Sequence, residues 1–185
     1  MNAKNAEAFG DGSPFSIRDE RPFYADAIFE LTREAFRGHP HSEGTEPLIV
    51  NALRDAGALA LSLVAELGGK VIGHVAFSPV SISDGSLAWY GMGPLSVLPG
   101  FQGRGAGSAL VREGLERLGP IGGKGCVLVG EPKYYGRFGF RNIPTLVYEG
   151  IPQEYFLALR LGLESGSGWP NGMVTFHAGF SVRSN

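Results

Sequence analysis

The chain has 185 residues, 16 basic against 18 acidic side chains, a formal net charge of −2 and 43% hydrophobic residues. That suits one domain with enough apolar material for a core, and the scattered, nearly balanced charge excludes an electrostatic footprint for nucleic acid or an anionic membrane. The single cysteine, Cys126, excludes an internal disulfide, and no apolar run approaches the roughly 20 residues of a membrane span. Cys126 lies in the apolar run Cys126–Val129 and reads as a small buried hydrophobe, consistent with a reducing, cytoplasmic setting.

Residues 1–14 are polar and lack the apolar segment of a signal peptide, so they read as a flexible leader before one domain over residues 15–185. Phe15–Asp19 alternates apolar and polar residues as a first strand does. From Pro22, the apolar positions Ala25, Ile28, Phe29, Leu31, Thr32, Ala35 and Phe36 mark a helix that Gly38 and Pro40 end. A loop with His39 and His41 leads to a short helix opened by Pro47, with Leu48, Ile49, Ala52 and Leu53 inward. Two strands follow, residues 58–67 and 71–82, joined at Gly68-Gly69, a hairpin signal. Asp84-Gly85 turns into a fourth strand over 87–98. Gly91, Gly93 and Pro94 lie inside it, which predicts a strand broken and splayed around residues 91–95. A helix over 103–118 buries Leu110, Val111, Gly114, Leu115 and Leu118. A fifth strand over 124–129 and a short helix over 132–138 come next. Strands are expected at 145–148, 155–161 and 173–177, with a loop or inserted hairpin over 162–172.

Two clusters carry chemistry. Four glycines fall within the eight residues from Gly100, and Gly103, Gly105 and Gly107 crowd into a helix start, although a helical glycine costs about 1 kcal/mol relative to alanine. Bare backbone lets several N–H groups converge on one anion, and the helix dipole favours negative charge there. A dinucleotide fingerprint fails because Ser108 stands where its third glycine belongs. A P-loop fails because Gly123-Lys124 is followed by Gly125. Gln102-x-x-Gly105-x-Gly107 remains. The second cluster is Tyr134-Tyr-Gly-Arg-Phe-Gly-Phe140, whose tyrosines also read as packing at a helix–sheet junction.

Gln102-x-x-Gly105-x-Gly107 resembles the pyrophosphate loop of the GNAT superfamily, the N-acetyltransferases that use acetyl-CoA. Tyr135-x-x-x-Gly139-Phe140 is similar to the segment that closes their CoA site. Gly73–Val80, Gly93–Pro99 and Gly130–Phe140 resemble the YhbS-type branch of small bacterial acetyltransferases, and the likeness runs over nearly the whole chain. It implies an α/β (α+β) fold: a mixed, mainly antiparallel central sheet with helices on both faces, splayed between its fourth and fifth strands.

The resemblance further implies that acetyl-CoA lies in that gap. Backbone groups of Leu95, Ser96 and Val97 would pair with the pantetheine arm, and an N–H near Val97 would polarise the thioester carbonyl. The pyrophosphate would rest on N–H groups from Gly103 to Ser108, Gly105 and Gly107 included. Gln102 and Phe138 belong to the cofactor site, and Arg104 either contacts phosphate or is a solvated loop arginine. Tyr135 is the expected general acid. Residues 87–98 hold no carboxylate to act as base. Glu46 either contacts the acceptor amine or is simply favoured at a helix N-terminus. His74, mid-strand among apolar neighbours, reads more naturally as a core histidine. The histidines and the cysteine show no metal-ligand spacing, so no metal is expected. The function implied is acetyl transfer from acetyl-CoA to a primary amine of a small molecule or protein, by a monomer or homodimer. A non-catalytic acyl-CoA-binding sensor or interaction module is the alternative.

Overall fold

The computed structural model describes residues 14–40, 42–162 and 168–183; the leader expected over residues 1–14 falls almost wholly outside them. The strands are β1 (Ser16–Asp19), β2 (Leu61–Leu67), β3 (Lys70–Ile82), β4 (Trp89–Val97), β5 (Gly125–Val129), β6 (Leu146–Val147), β7 (Phe156–Arg160) and β8 (Gly172–Thr175). The helices are α1 (Ala25–Phe36), α2 (Glu46–Asp55), α3 (Ala106–Leu118) and the short α4 (Pro132–Tyr135). The main sheet has the order β1-β2-β3-β4-β5-β7. Its neighbours are antiparallel except β4 and β5, which run parallel across the α3 crossover. β8 extends the far end of β3 and carries β6 beside it.

Side-chain alternation along β2 and β3 divides the core. Leu63, Ala65, Val75 and Phe77 are buried with Leu110, Val111 and Leu118 of α3. Val64 and Val71 pack with Tyr24, Ile28 and Leu31 at the start of and along α1, and with Val50 of α2. The helices therefore occupy both faces, each burying one apolar stripe. Gly114 lets α3 approach the sheet closely. A Cβ there would lie well inside 3.0 Å of the Phe77 ring.

Several boundaries differ from the sequence expectation for local reasons. α3 begins at Ala106 rather than at residue 103, because Gly103 (φ +72°) and Gly105 (φ +90°) are left-handed and cannot be helical. α2 turns Val50 inward with Ile49 and Leu53, while Leu48 and Ala52 are only half-buried. Residues 58–60 precede β2 instead of opening it. The last two strands are shorter than expected, ending at Arg160 and Thr175. Residues 163–167, within the expected loop or hairpin, lie outside the described residues.

Candidate active site

β4 and β5 are paired only at Trp89↔Gly125, Tyr90↔Cys126 and Gly91↔Val127. Beyond Gly91 the partnership ends, yet β4 runs on to Val97, held by β3 alone through Val75↔Leu95, His74↔Ser96 and Gly73↔Val97. The strand is thus not broken at residues 91–95, as the glycine–proline pattern predicts; it is bulged. Phe77 pairs with Met92 and Val75 with Leu95, so Gly93 and Pro94, joined by a cis peptide, both stand opposite Ala76. One surplus residue bends β4 away from its neighbour. The consequence is a gap along which Leu95, Ser96 and Val97 have no strand partner on the β5 side among the described residues.

The glycine loop closes one end of this gap. Gln102 donates from Nε2 to the Val97 carbonyl at 3.0 Å and so ties the loop to the end of β4. The first helical bond of α3 runs from Ala109 N–H to the Gly105 carbonyl at 2.9 Å. The N–H groups of Ala106, Gly107 and Ser108 precede it, and no side chain among the described residues caps the helix. Arg104 is exposed, with its guanidinium 5.9 Å from the centre of the Phe101 ring.

α4 faces that first turn. A Cβ on Gly107 would lie 3.0 Å from the Tyr134 hydroxyl and 3.5 Å from Val97 Cγ2, so Tyr134, Gly107 and Val97 meet at one narrow point. Arg137 stacks on the Tyr134 ring, 3.9 Å from its centre, and Arg112 stands 5.3 Å from that of Phe138. Tyr135 turns inward instead. Its ring is edge-on to Tyr134 (4.8 Å) and Phe140 (6.0 Å), with Phe138 at 6.4 Å. Its hydroxyl makes no hydrogen bond among the described residues. Burial raises its pKa above the ordinary tyrosine value, with Tyr134 and Cys126 adding to the shift, so the phenol holds its proton through neutral pH. Cys126, fully buried, is pushed up by burial in the same way and stays a thiol. The sequence marks the doubled tyrosine but gives no role to Tyr134 beyond packing and none to Arg137; here Tyr134 meets the first turn of α3 while Tyr135 packs against Phe140.

The other side of β4 is built from paired polar side chains. Ser96 donates to Thr32 Oγ1 of α1 at 3.2 Å and is 1% exposed, so its side chain belongs to the α1 side and not to the open edge. His74 Nε2 lies 2.8 Å from Ser62 Oγ, whose hydroxyl bonds Glu20, and Glu20 bridges to Arg54 at 2.6 Å. Burial lowers the His74 pKa to about 4 against the opposing pull of Glu20, so the ring is neutral, as a core histidine should be. Its Nδ1 is buried without a partner among the described residues. Glu46 opens α2 and accepts from Ser42 Oγ at 2.8 Å. It lines a cavity of about 390 Å³ with Arg33, Phe36, Arg37, His39 and Ser42; His41 lies outside the described residues. Among the described residues no cluster of three His, Cys, Asp or Glu could hold a metal, and no helix is long and apolar enough to cross a membrane.

Residues 25–140 match the Acetyltransferase (GNAT) family. The chain is 42% identical over 125 residues to the uncharacterized N-acetyltransferase YhbS of Escherichia coli K12, covering 67% of this chain and 72% of that one. A GNAT acetyltransferase from Brucella melitensis, solved with acetyl-CoA, is 47% identical with a TM-score of 0.78, covering 90% of this chain and 97% of the other. The E. coli YhbS structure, solved with CoA, has a TM-score of 0.82 at 35% identity and covers 92% and 93% of the two chains. With the splayed β4–β5 pair, the uncapped glycine loop and the inward tyrosine in place, these matches settle the lineage: the chain belongs to the GNAT acetyltransferase family.

Proposed function

We propose that this protein transfers the acetyl group of acetyl-CoA to a primary amine of a small molecule or protein by direct attack in a ternary complex, working in the cytoplasm. The observation that carries the reading is the one-sided edge of β4 beside the first turn of α3, which α4 meets through Tyr134 with Tyr135 packed next to it. The residues fit the cosubstrate. Leu95–Val97 offer backbone groups that a pantetheine arm can pair with as an added strand does. The free N–H groups of Ala106, Gly107 and Ser108, with the positive end of the α3 dipole, suit a pyrophosphate.

Acetyl-CoA supplies an activated thioester; the chain supplies orientation and a proton. A backbone N–H near Val97 polarises the acyl carbonyl, and the amine nitrogen bonds its carbon as the carbon–sulfur bond breaks. Tyr135 gives its proton to the departing sulfur. Burial makes the phenol a weak acid, so donation accompanies bond breaking rather than preceding it, and placement matters more than acidity. His74 is not the base, since its Nε2 is committed to Ser62 and its pKa lies near 4. Deprotonation of the amine is left to solvent.

The test is CoA thiol release from acetyl-CoA across an amine panel, with Tyr135→Phe beside the wild type. General-acid catalysis is worth about 100- to 10,000-fold, so kcat should fall at least about 100-fold in the variant. Acetyl-CoA binding with no transfer to any amine favours the sensor reading. Acetyl-CoA at a hundredfold over Kd should add about 2.7 kcal/mol of stability, and its failure to stabilise the chain overturns both.

A further inference from the structure

We propose that Gly130 is the positioning residue of Tyr135: its bare backbone is the seat on which the tyrosine ring rests, an inference built on the reading of Tyr135 as proton donor. Gly130 follows the last residue of β5 and precedes Glu131, the N-cap of α4. A Cβ built on it would lie 2.8 Å from Tyr135 Cδ2, closer still to Cε2, and 3.2 Å from Leu128 Cδ1. Real Cβ atoms essentially never approach heavy atoms under 3.0 Å, so any side chain at 130 must displace the ring.

The ring has little room to yield. Phe140, 3% exposed, stands edge-on to it at 6.0 Å, and Tyr134 does so at 4.8 Å. The backbone of Gly130 is equally fixed, because its N–H donates to the Tyr155 carbonyl at 2.9 Å. Nor does conformation require a glycine here: Gly130 is not among the residues with positive φ, so the backbone would accept alanine. What excludes a side chain is the space taken by Tyr135. Gly114 and Gly125 likewise exclude a Cβ, but against the core rings of Phe77 and Trp89. Gly130 instead crowds the ring of Tyr135, whose hydroxyl makes no hydrogen bond among the described residues.

The experiment compares Gly130→Ala, Tyr135→Phe, Tyr135→Leu and the Gly130→Ala doubles. A catalytic group misplaced by about 1 Å costs about 100-fold, so Gly130→Ala should lower kcat at least about tenfold and leave KM for acetyl-CoA within about twofold. In the Tyr135→Phe background the same substitution should cost no further rate, a non-additivity that a merely structural glycine does not produce. A crystal structure of Gly130→Ala should show the Tyr135 ring displaced. Tyr135→Leu, which removes the ring, should restore the melting temperature lost on adding the methyl group, and this readout holds even if Gly130→Ala alone folds poorly or no amine is turned over. An unmoved ring, or a melting temperature that Tyr135→Leu does not restore, overturns the proposal. Undiminished kcat in Tyr135→Phe overturns instead the donor role, and leaves the ring displacement to stand or fall by itself.

Discussion

The two sides of β4 are built from different materials. On the side of the gap, position is set by backbone: an unpaired strand edge, uncapped N–H groups, and glycines against which aromatic rings rest. On the α1–α2 side it is set by side chains, in a run of hydrogen bonds through Arg54, Glu20, Ser62 and His74, with the Ser96–Thr32 pair beyond them. A backbone-built region is damaged by adding atoms and is indifferent to most exchanges of charge. A side-chain-built region is damaged by changing protonation or removing a partner.

The polar side should break first with pH. His74 is neutral when folded, with a pKa near 4, whereas the unfolded chain takes up that proton near pH 6.5. Below pH 6.5 the unfolded state therefore binds more protons, and stability falls as pH drops from 6.5 towards 4. At about 1.36 kcal/mol per pKa unit the loss is about 3 kcal/mol. Urea midpoints between pH 7 and 4.5 should fall in the wild type and fall much less in His74→Gln. Equal pH slopes in the two proteins would refute the assignment.

The backbone-built side should break on gaining a single methyl group. In Gly114→Ala the new carbon overlaps the Phe77 ring beneath α3, and overpacking of this kind costs about 1–3 kcal/mol. Phe77→Leu in the same chain should recover part of that loss, because it removes the ring that collides. Thermal unfolding of the two single variants and the double measures both effects.

The same division decides what could be read from the amino-acid order. Glycine and proline announce backbone constraints locally, so Gly103 and Gly105 mark the left-handed turn that opens α3 and Gly93-Pro94 mark the strand irregularity. What they left open was its kind, since a bulge and a break call for the same residues; only the β3–β4 register distinguishes them. Partnerships between side chains far apart in the chain carry no local signature. Nothing around Ser62 marks it as the acceptor for His74, and nothing around Gly130 tells of a tyrosine packed on it. The likeness of Gln102–Gly107 and Tyr135–Phe140 to the GNAT motifs supplied the fold and the cosubstrate. The acceptor had no such signal: the cavity at the α1–α2 loop, where it is proposed to bind, mixes Arg33, Arg37 and Glu46 without a repeating pattern.

Gly105→Ala tests the loop itself. Gly105 caps α3 at φ +90°, where a side chain costs roughly 1–2 kcal/mol, and relaxing that strain turns the first N–H groups away from their common target. Acetyl-CoA Kd by calorimetry should rise about tenfold, since about 1.4 kcal/mol is a factor of ten. An unchanged Kd would mean that the anion is held elsewhere.

The smallest effect belongs to Glu46, on the side-chain-built half. Glu46→Gln removes a charge but keeps an oxygen that can accept from Ser42, so the loop should hold and unfolding should shift by under about 1 kcal/mol. Glu46 lines the α1–α2 cavity and not the gap beside β4 where acetyl-CoA is proposed to lie, so acetyl-CoA Kd should stay within about twofold, less than about 0.4 kcal/mol. If Glu46 meets the acceptor, the charge is felt by the incoming ammonium alone: KM for the amine should rise several-fold while kcat is nearly constant, the pattern of lost binding that ground and transition states share. A fall in acetyl-CoA affinity would instead mean that the two sides of β4 communicate, and the division of labour between backbone and side chains would have to be redrawn.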